Sequence, residues 1–207
     1  MKTFNNITNY LGFYLSLIIV ASTLGLTSCD NEDPQKEDVP ELITKATLTF
    51  TPAGGGTPIT VSATDPDGEG VQDIQVDGAI NLAANTTYAL TLGLINELAE
   101  PSSPEYDIAD EVEEEGDEHM FFYSWTGDVF SDPAGNGNID NRADAVNYDD
   151  EDDNSLPIGL TTTWTTAASG SGLFRLVLKH QPDLKTATSD INTGETDLDV
   201  EFEVNVN

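Results

Sequence analysis

Two histidines and several carboxylate-rich turns are the side chains of this 207-residue sequence best equipped for chemistry. His119 follows Asp117-Glu118, where an acidic segment gives way to Met120-Phe121-Phe122-Tyr123. His180 closes the run Leu173–Lys179 just before Gln181-Pro182. Imidazoles at strand ends beside carboxylates suit zinc or another borderline transition ion, so His119, His180 and Glu118 are candidate ligands. They lie far apart in the chain and only folding can join them; the alternative is a pair of solvated or hydrogen-bonded histidines. Calcium is the expectation for the turns. Asp65-Pro66-Asp67-Gly68-Glu69-Gly70 sets Asp65, Asp67 and Glu69 at alternate positions, and Asp150-Glu151-Asp152-Asp153-Asn154 does the same with Asp150, Asp152 and Asn154. Calcium takes six to eight oxygens, which a tight loop supplies when alternate side chains converge. Neither loop has flanking helices or the downstream glutamate of an EF-hand, and Asp, Asn and Gly also make ordinary surface turns unaided. Asp132-Pro133-Ala134 loses its middle ligand to alanine.

Signatures of enzyme chemistry are missing: there is no Gly-x-Ser-x-Gly elbow, no His-Glu-x-x-His and no phosphate-cradling loop. The expectation is a protein that is not an enzyme. Trp125 and Trp164 read as core residues rather than as a sugar-stacking platform. The formal net charge is -31, and removal of residues 1–28, which carry one lysine and no acid, makes it one unit more negative. Such a polyanion is repelled by nucleic acid and by anionic membrane surfaces, whereas divalent cations are attracted.

Cys29 is the sole cysteine, so no disulfide can staple the fold. It ends Leu26-Thr27-Ser28-Cys29 after an apolar run from Tyr10, behind an N-terminal stretch with Lys2 as its only charge. That order of charge, apolar body and small residues is a secretory signal, and the tetrapeptide resembles a bacterial lipobox. The resemblance implies acylation of Cys29 and removal of residues 1–28. The following Asp30-Asn31-Glu32-Asp33 resembles the acidic tag that exports Bacteroidota lipoproteins to the outer face of the outer membrane. Residues 29–41 then read as a flexible acidic tether, and 42–207 as the folded domain.

The elements that must position these residues have a period of two. Leu198, Val200, Phe202, Val204 and Val206 alternate with Asp197, Asp199, Glu201, Glu203 and Asn205, the pattern of a sheet buried on one face. Ala46/Leu48/Phe50, Tyr88/Leu90/Leu92/Leu94 and Phe174/Leu176/Leu178 repeat it. Shorter candidates are Ile59–Ala63, Ile74–Val76, Met120–Thr126 and Leu160–Thr166. Turn signals such as Gly54-Gly55-Gly56, Asp77-Gly78 and Ala168-Ser169-Gly170-Ser171-Gly172 separate the runs. Together they predict an all-β, immunoglobulin-like sandwich of about seven to nine antiparallel strands. One short acidic helix is inserted, starting at Ser103-Pro104-Glu105 and running through Ile108 and Val112 to Glu113-Glu114-Glu115. Its polyacidic end opposes the macrodipole, which a nearby cation would balance. The acidic stretch from Asp128 to Gly159 is long enough to be functional or disordered.

Glu118-His119-Met120-Phe121-Phe122, Gly159-Leu160-Thr161-Thr162-Thr163, Leu178-Lys179-His180-Gln181-Pro182 and Gly194-Glu195-Thr196-Asp197 resemble segments of small uncharacterised Bacteroidota outer-membrane lipoproteins, over most of residues 42–206. Members are sometimes labelled as having a type 1 periplasmic-binding fold, an alternation of helices and parallel strands that the strand pattern here does not follow. The resemblance implies no activity. The sequence therefore points to a lipid-anchored, surface-exposed binding module that captures a metal ion or metal complex for an outer-membrane transporter, with zinc or calcium as the ion. The alternative is a structural or adhesive surface module stiffened by calcium.

Overall fold

The period-two runs become the strands of two packed sheets. The computed structural model describes residues 41–207 apart from Glu69 and Val71. The expected acylation at Cys29, the expected 1–28 signal and 29–40 tether, and the candidate ligand Glu69 therefore lie outside the described residues. Ten strands run through the described chain: β1 Lys45–Pro52, β2 Ile59–Thr64, β3 Gln75–Val76, β4 Ile80–Leu82, β5 Thr87–Ile95, β6 His119–Trp125, β7 Phe130–Asp132, β8 Thr161–Thr166, β9 Gly170–His180 and β10 Glu195–Val206. One sheet has the order β3-β2-β1-β5-β8-β7 and the other β4-β10-β9-β6. The fold is all-β and sandwich-like, its sheets curled as a half-barrel. Pairing is antiparallel except where β4 lies parallel to β10.

Alternation decides which side chains meet. Ala46, Leu48 and Phe50 of β1 are fully buried, as are Leu90 and Leu94 of β5 and Phe174, Leu176 and Leu178 of β9. Each such large apolar side chain contributes about 1.5–3 kcal/mol by leaving water. Trp125 and Trp164 fill the centre of the core, edge to face with centroids 5.1 Å apart. The Trp164 indole N–H donates to Thr162 Oγ1 at 2.7 Å, which satisfies its one polar atom. The glycine-rich Gly170–Gly172 stretch is not a turn but the first part of β9. Thr126 O passes so close to Gly172 that a β-carbon there would lie 2.1 Å away.

The acidic insertion follows the sequence reading with a later start. Pro104–Tyr106 form one 3-10 turn, and helix α1, Ile108–Glu114, begins after it because the Asp107 side chain caps Asp110 N. Ile108 and Val112, one turn apart, are buried and fasten α1 to the core. The stretch 128–159 is ordered. Beyond β7 it lies along the free edge of β6, where Trp125 N donates to Asn136 O, Asn138 Oδ1 accepts from Tyr123 N and the Tyr148 hydroxyl donates to Phe121 O. Ile139 meets Met120, Phe122 and Val177 on the outer side of the sheet, so β6 is buried on both faces. That double burial makes the histidine end of β6 a rigid mount.

Candidate metal centre

Strand register brings the two histidines together. In the β6–β9 pair His119 stands directly opposite His180, and the rings stack with centroids 4.7 Å apart and planes 7° from parallel. Both side chains are nearly fully buried. They share a sheet face with Phe121 and Leu178, two residues along their own strands, because side chains at i and i+2 point the same way. The pair therefore caps one end of the core.

Carboxylates surround this stack. Glu118 Oε2 lies 3.5 Å from His180 Nε2. Asp197 Oδ2 and Glu41 Oε1 lie 3.8 and 4.0 Å from His119 Nε2. His119 Nδ1 sits 3.1 Å from the carbonyl of Glu115. A carbonyl only accepts, so Nδ1 carries the proton, and in the neutral ring the Nε2 lone pair turns toward Asp197 and Glu41. An N–H held by a backbone carbonyl while the other nitrogen faces the site is the usual brace of a metal-binding imidazole.

Three elements deliver these groups. Glu111 and Glu115 are one helical turn apart, and Glu115 follows the last residue of α1. Asp197 arrives through a β-bulge: β10 slips register between Thr196 and Leu198, leaving Asp197 as the extra residue. Simple alternation sets Asp197 among the outward carboxylates, but the bulge turns its side chain fully inward. Glu41, the first described residue, donates its backbone N–H to Asp197 Oδ1 at 3.3 Å. Gly194 lets β10 begin this close to the site. Its φ is +74°, and a β-carbon there would fall 2.0 Å from His180 O.

Two triads of donor atoms converge: Glu115, Glu118 and His180, and Glu41, Glu111 and Glu115, with the atoms of each triad within 4.8 Å of one another. Tetrahedral bonds of about 2.1 Å separate ligand atoms by roughly 3.4 Å, so small rotamer shifts would close either set around an ion. Electrostatics match the geometry. Burial, with Glu111 and Asp197 adding to it, pushes the Glu41 carboxyl up to about 8. Burial and then the Glu115 charge raise Glu111. Burial raises Asp197 to about 6 against the pull of His180 and Lys179. Like charges held together out of water take up protons or a cation.

The candidate calcium loops are organised differently. Asp65 Oδ1 accepts from Asp67 N at 3.3 Å in a local turn. Asp65 also lines a cavity of about 170 Å³ with Glu41, Thr196 and Asp197, which sets that loop beside the histidine cluster. Asp150 gives its two oxygens to Gly159 N and Thr161 N. Asp152 Oδ1 accepts from Asn154 N and Leu156 N, and its Oδ2 pairs with Lys185 Nζ at 2.9 Å. Asn154 thus meets Asp152 through its backbone. Lys185 Nζ also donates to Gly116 O at 2.6 Å, placing a positive charge just beyond the acidic end of α1.

Of the residues named from sequence, His119, His180 and Glu118 come together. Glu41, Glu111, Glu115 and Asp197 join them without having been singled out as ligands. The four-residue spacing of Glu111 and Glu115 was the available signal that these two share one face at the end of the helix. Nothing local marks Glu41, and nothing marks the bulge at Asp197. No protein-family model, curated protein or solved structure matches the chain.

Proposed function

We propose that this chain is a lipid-anchored binding module, acylated at Cys29 and displayed on the outer face of the outer membrane, that captures a divalent transition ion for a membrane transporter. Its first 28 residues are an address, residues 29–41 a tether whose last residue, Glu41, reaches the site, and the domain from 42 onward carries the rest of that site. It is not an enzyme. The observation that carries this reading is the stacked, buried His119–His180 pair with Glu118 Oε2 3.5 Å from His180 Nε2. A buried imidazole facing buried and half-buried carboxylates is the donor set that zinc prefers, and the acidic surface draws cations toward it.

Calorimetric titration of the metal-stripped full chain in detergent with zinc tests capture. Micromolar or tighter binding that His180→Ala abolishes supports it, and no binding below millimolar zinc refutes it. Mass spectrometry of the protein from native envelopes tests the anchor, with diacylglyceryl on Cys29 expected. An intact Met1 or a free thiol would contradict it.

A further inference from the structure

We propose that the cluster takes two unlike cations bridged by the Glu115 carboxylate: a zinc-like ion between His180 and Glu118, and a harder ion between Glu41 and Glu111. This deepens the metal-capture reading and rests on it. The two converging triads share one member, Glu115. A carboxylate has two oxygens and can serve an ion on each side, the arrangement of two-metal sites with ions roughly 3.5–4 Å apart. Glu115 is placed to do so because it stands between the turn that carries Glu118 and the helical face that carries Glu111.

Acid alone does not make a site, and two further atoms point into this one. His180 Nε2 is buried, has no hydrogen-bond partner among the described residues, and is directed at Glu118. Asp197 Oδ2 is fully buried, equally lacks such a partner, and lies 3.8 Å from His119 Nε2, which Glu41 Oε1 approaches to 4.0 Å. Buried polar atoms left without hydrogen bonds are rare in folded proteins and call for an ion or another ligand. His180 is a member of the first triad, and Asp197, outside both, is joined to Glu41 of the second through the Glu41 N–H on its other oxygen.

Donor chemistry separates the ions. The His180 triad contains nitrogen and suits zinc, whereas Glu41, Glu111 and Glu115 offer only oxygen and suit manganese or calcium. The oxygen-only half is reached from two cavities. Glu111 and Glu115 line a cavity of about 300 Å³ on the flank of α1, and Glu41 lines the smaller one beside Asp197.

Zinc stoichiometry on the metal-stripped full chain, measured with and without excess calcium, tests the proposal. Two zinc ions per chain are expected in zinc alone and one when calcium is in excess. Glu111→Gln should remove the calcium-sensitive zinc and leave the other affinity within about threefold. His180→Ala should remove the calcium-resistant one. Glu115→Gln should weaken both by more than the roughly tenfold that outer-shell partners command. With manganese alone, electron paramagnetic resonance of His180→Ala should still report an all-oxygen site, which checks that the variant is folded and competent. A single zinc, insensitive to calcium and to Glu111→Gln, overturns the second ion and leaves the capture reading intact. No zinc at all overturns both.

Discussion

Asp197 Oδ2 lies 3.8 Å from His119 Nε2 because a single extra residue in β10 rotates that carboxylate from the wet face of the sheet into the dry one. Ionised there, it is held away from water without a close hydrogen bond on Oδ2. Asp197→Asn keeps the shape and removes the charge. The metal-free protein should melt at a higher temperature at pH 8 than the wild type, while zinc affinity falls about tenfold or more. Calorimetry for melting and titration for zinc check the two signs together. A drop in both would make Asp197 an ordinary structural residue.

Stability of the metal-free domain should fall as pH rises from about 4.5 toward 8. Glu41 holds its proton to about 8 in the fold but only to 4.5 in the unfolded chain, so the native state binds more protons across that window. Asp197 acts in the same direction between 3.8 and about 6. Their stabilisation is complete below the lower values and lost as pH passes the higher ones. Urea midpoints across this range should show the decline, and Glu41→Gln should flatten its upper part. Saturating zinc should reverse the slope, since the ion replaces the proton.

Lys185 joins the 150s loop to the end of α1, pairing with Asp152 while donating to Gly116 O, with both side chains about 1% exposed. Asp152 is held below the usual carboxylate range mainly by its Lys185 and backbone hydrogen bonds, which outweigh burial. Lys185→Met should cost about 3–5 kcal/mol, because it strands a buried carboxylate. The denaturant midpoint measures this, and Lys185→Met with Asp152→Asn should recover much of the loss. If the single variant melts like the wild type, the pair does not brace the loop.

Gly194→Ala probes the approach of β10 to His180. The positive φ and the 2.0 Å clash with His180 O force the backbone to shift. A destabilisation of about 1–3 kcal/mol is expected, together with weaker zinc binding. Gly78→Ala, also at positive φ but with nothing near its added carbon, is the control. It should lose stability and keep zinc affinity. Equal zinc affinity in the two variants would show that Gly194 does not position the site.

Sequence alone determined most of the strands, the helix and the candidate histidines, because these follow from neighbours along the chain. The alternating runs that became β1, β5, β9 and β10 carry their burial in their own periodicity. Ile108 and Val112 mark a helical face by spacing alone. The strands that escaped reading, β4 and β7, have three residues each and too few alternations to register a period. The long acidic stretch looked poor in core residues because Tyr148 and Asn138 hold it through backbone partners on β6 rather than through apolar runs. Only tertiary structure decided the site. His119 faces His180 through β6–β9 register, Glu41 arrives from the far end of the chain, and Asp197 turns inward by a one-residue slip. Local patterns report which face of an element is buried, whereas a cluster drawn from four separated segments exists only after the sheets have chosen their partners and their register.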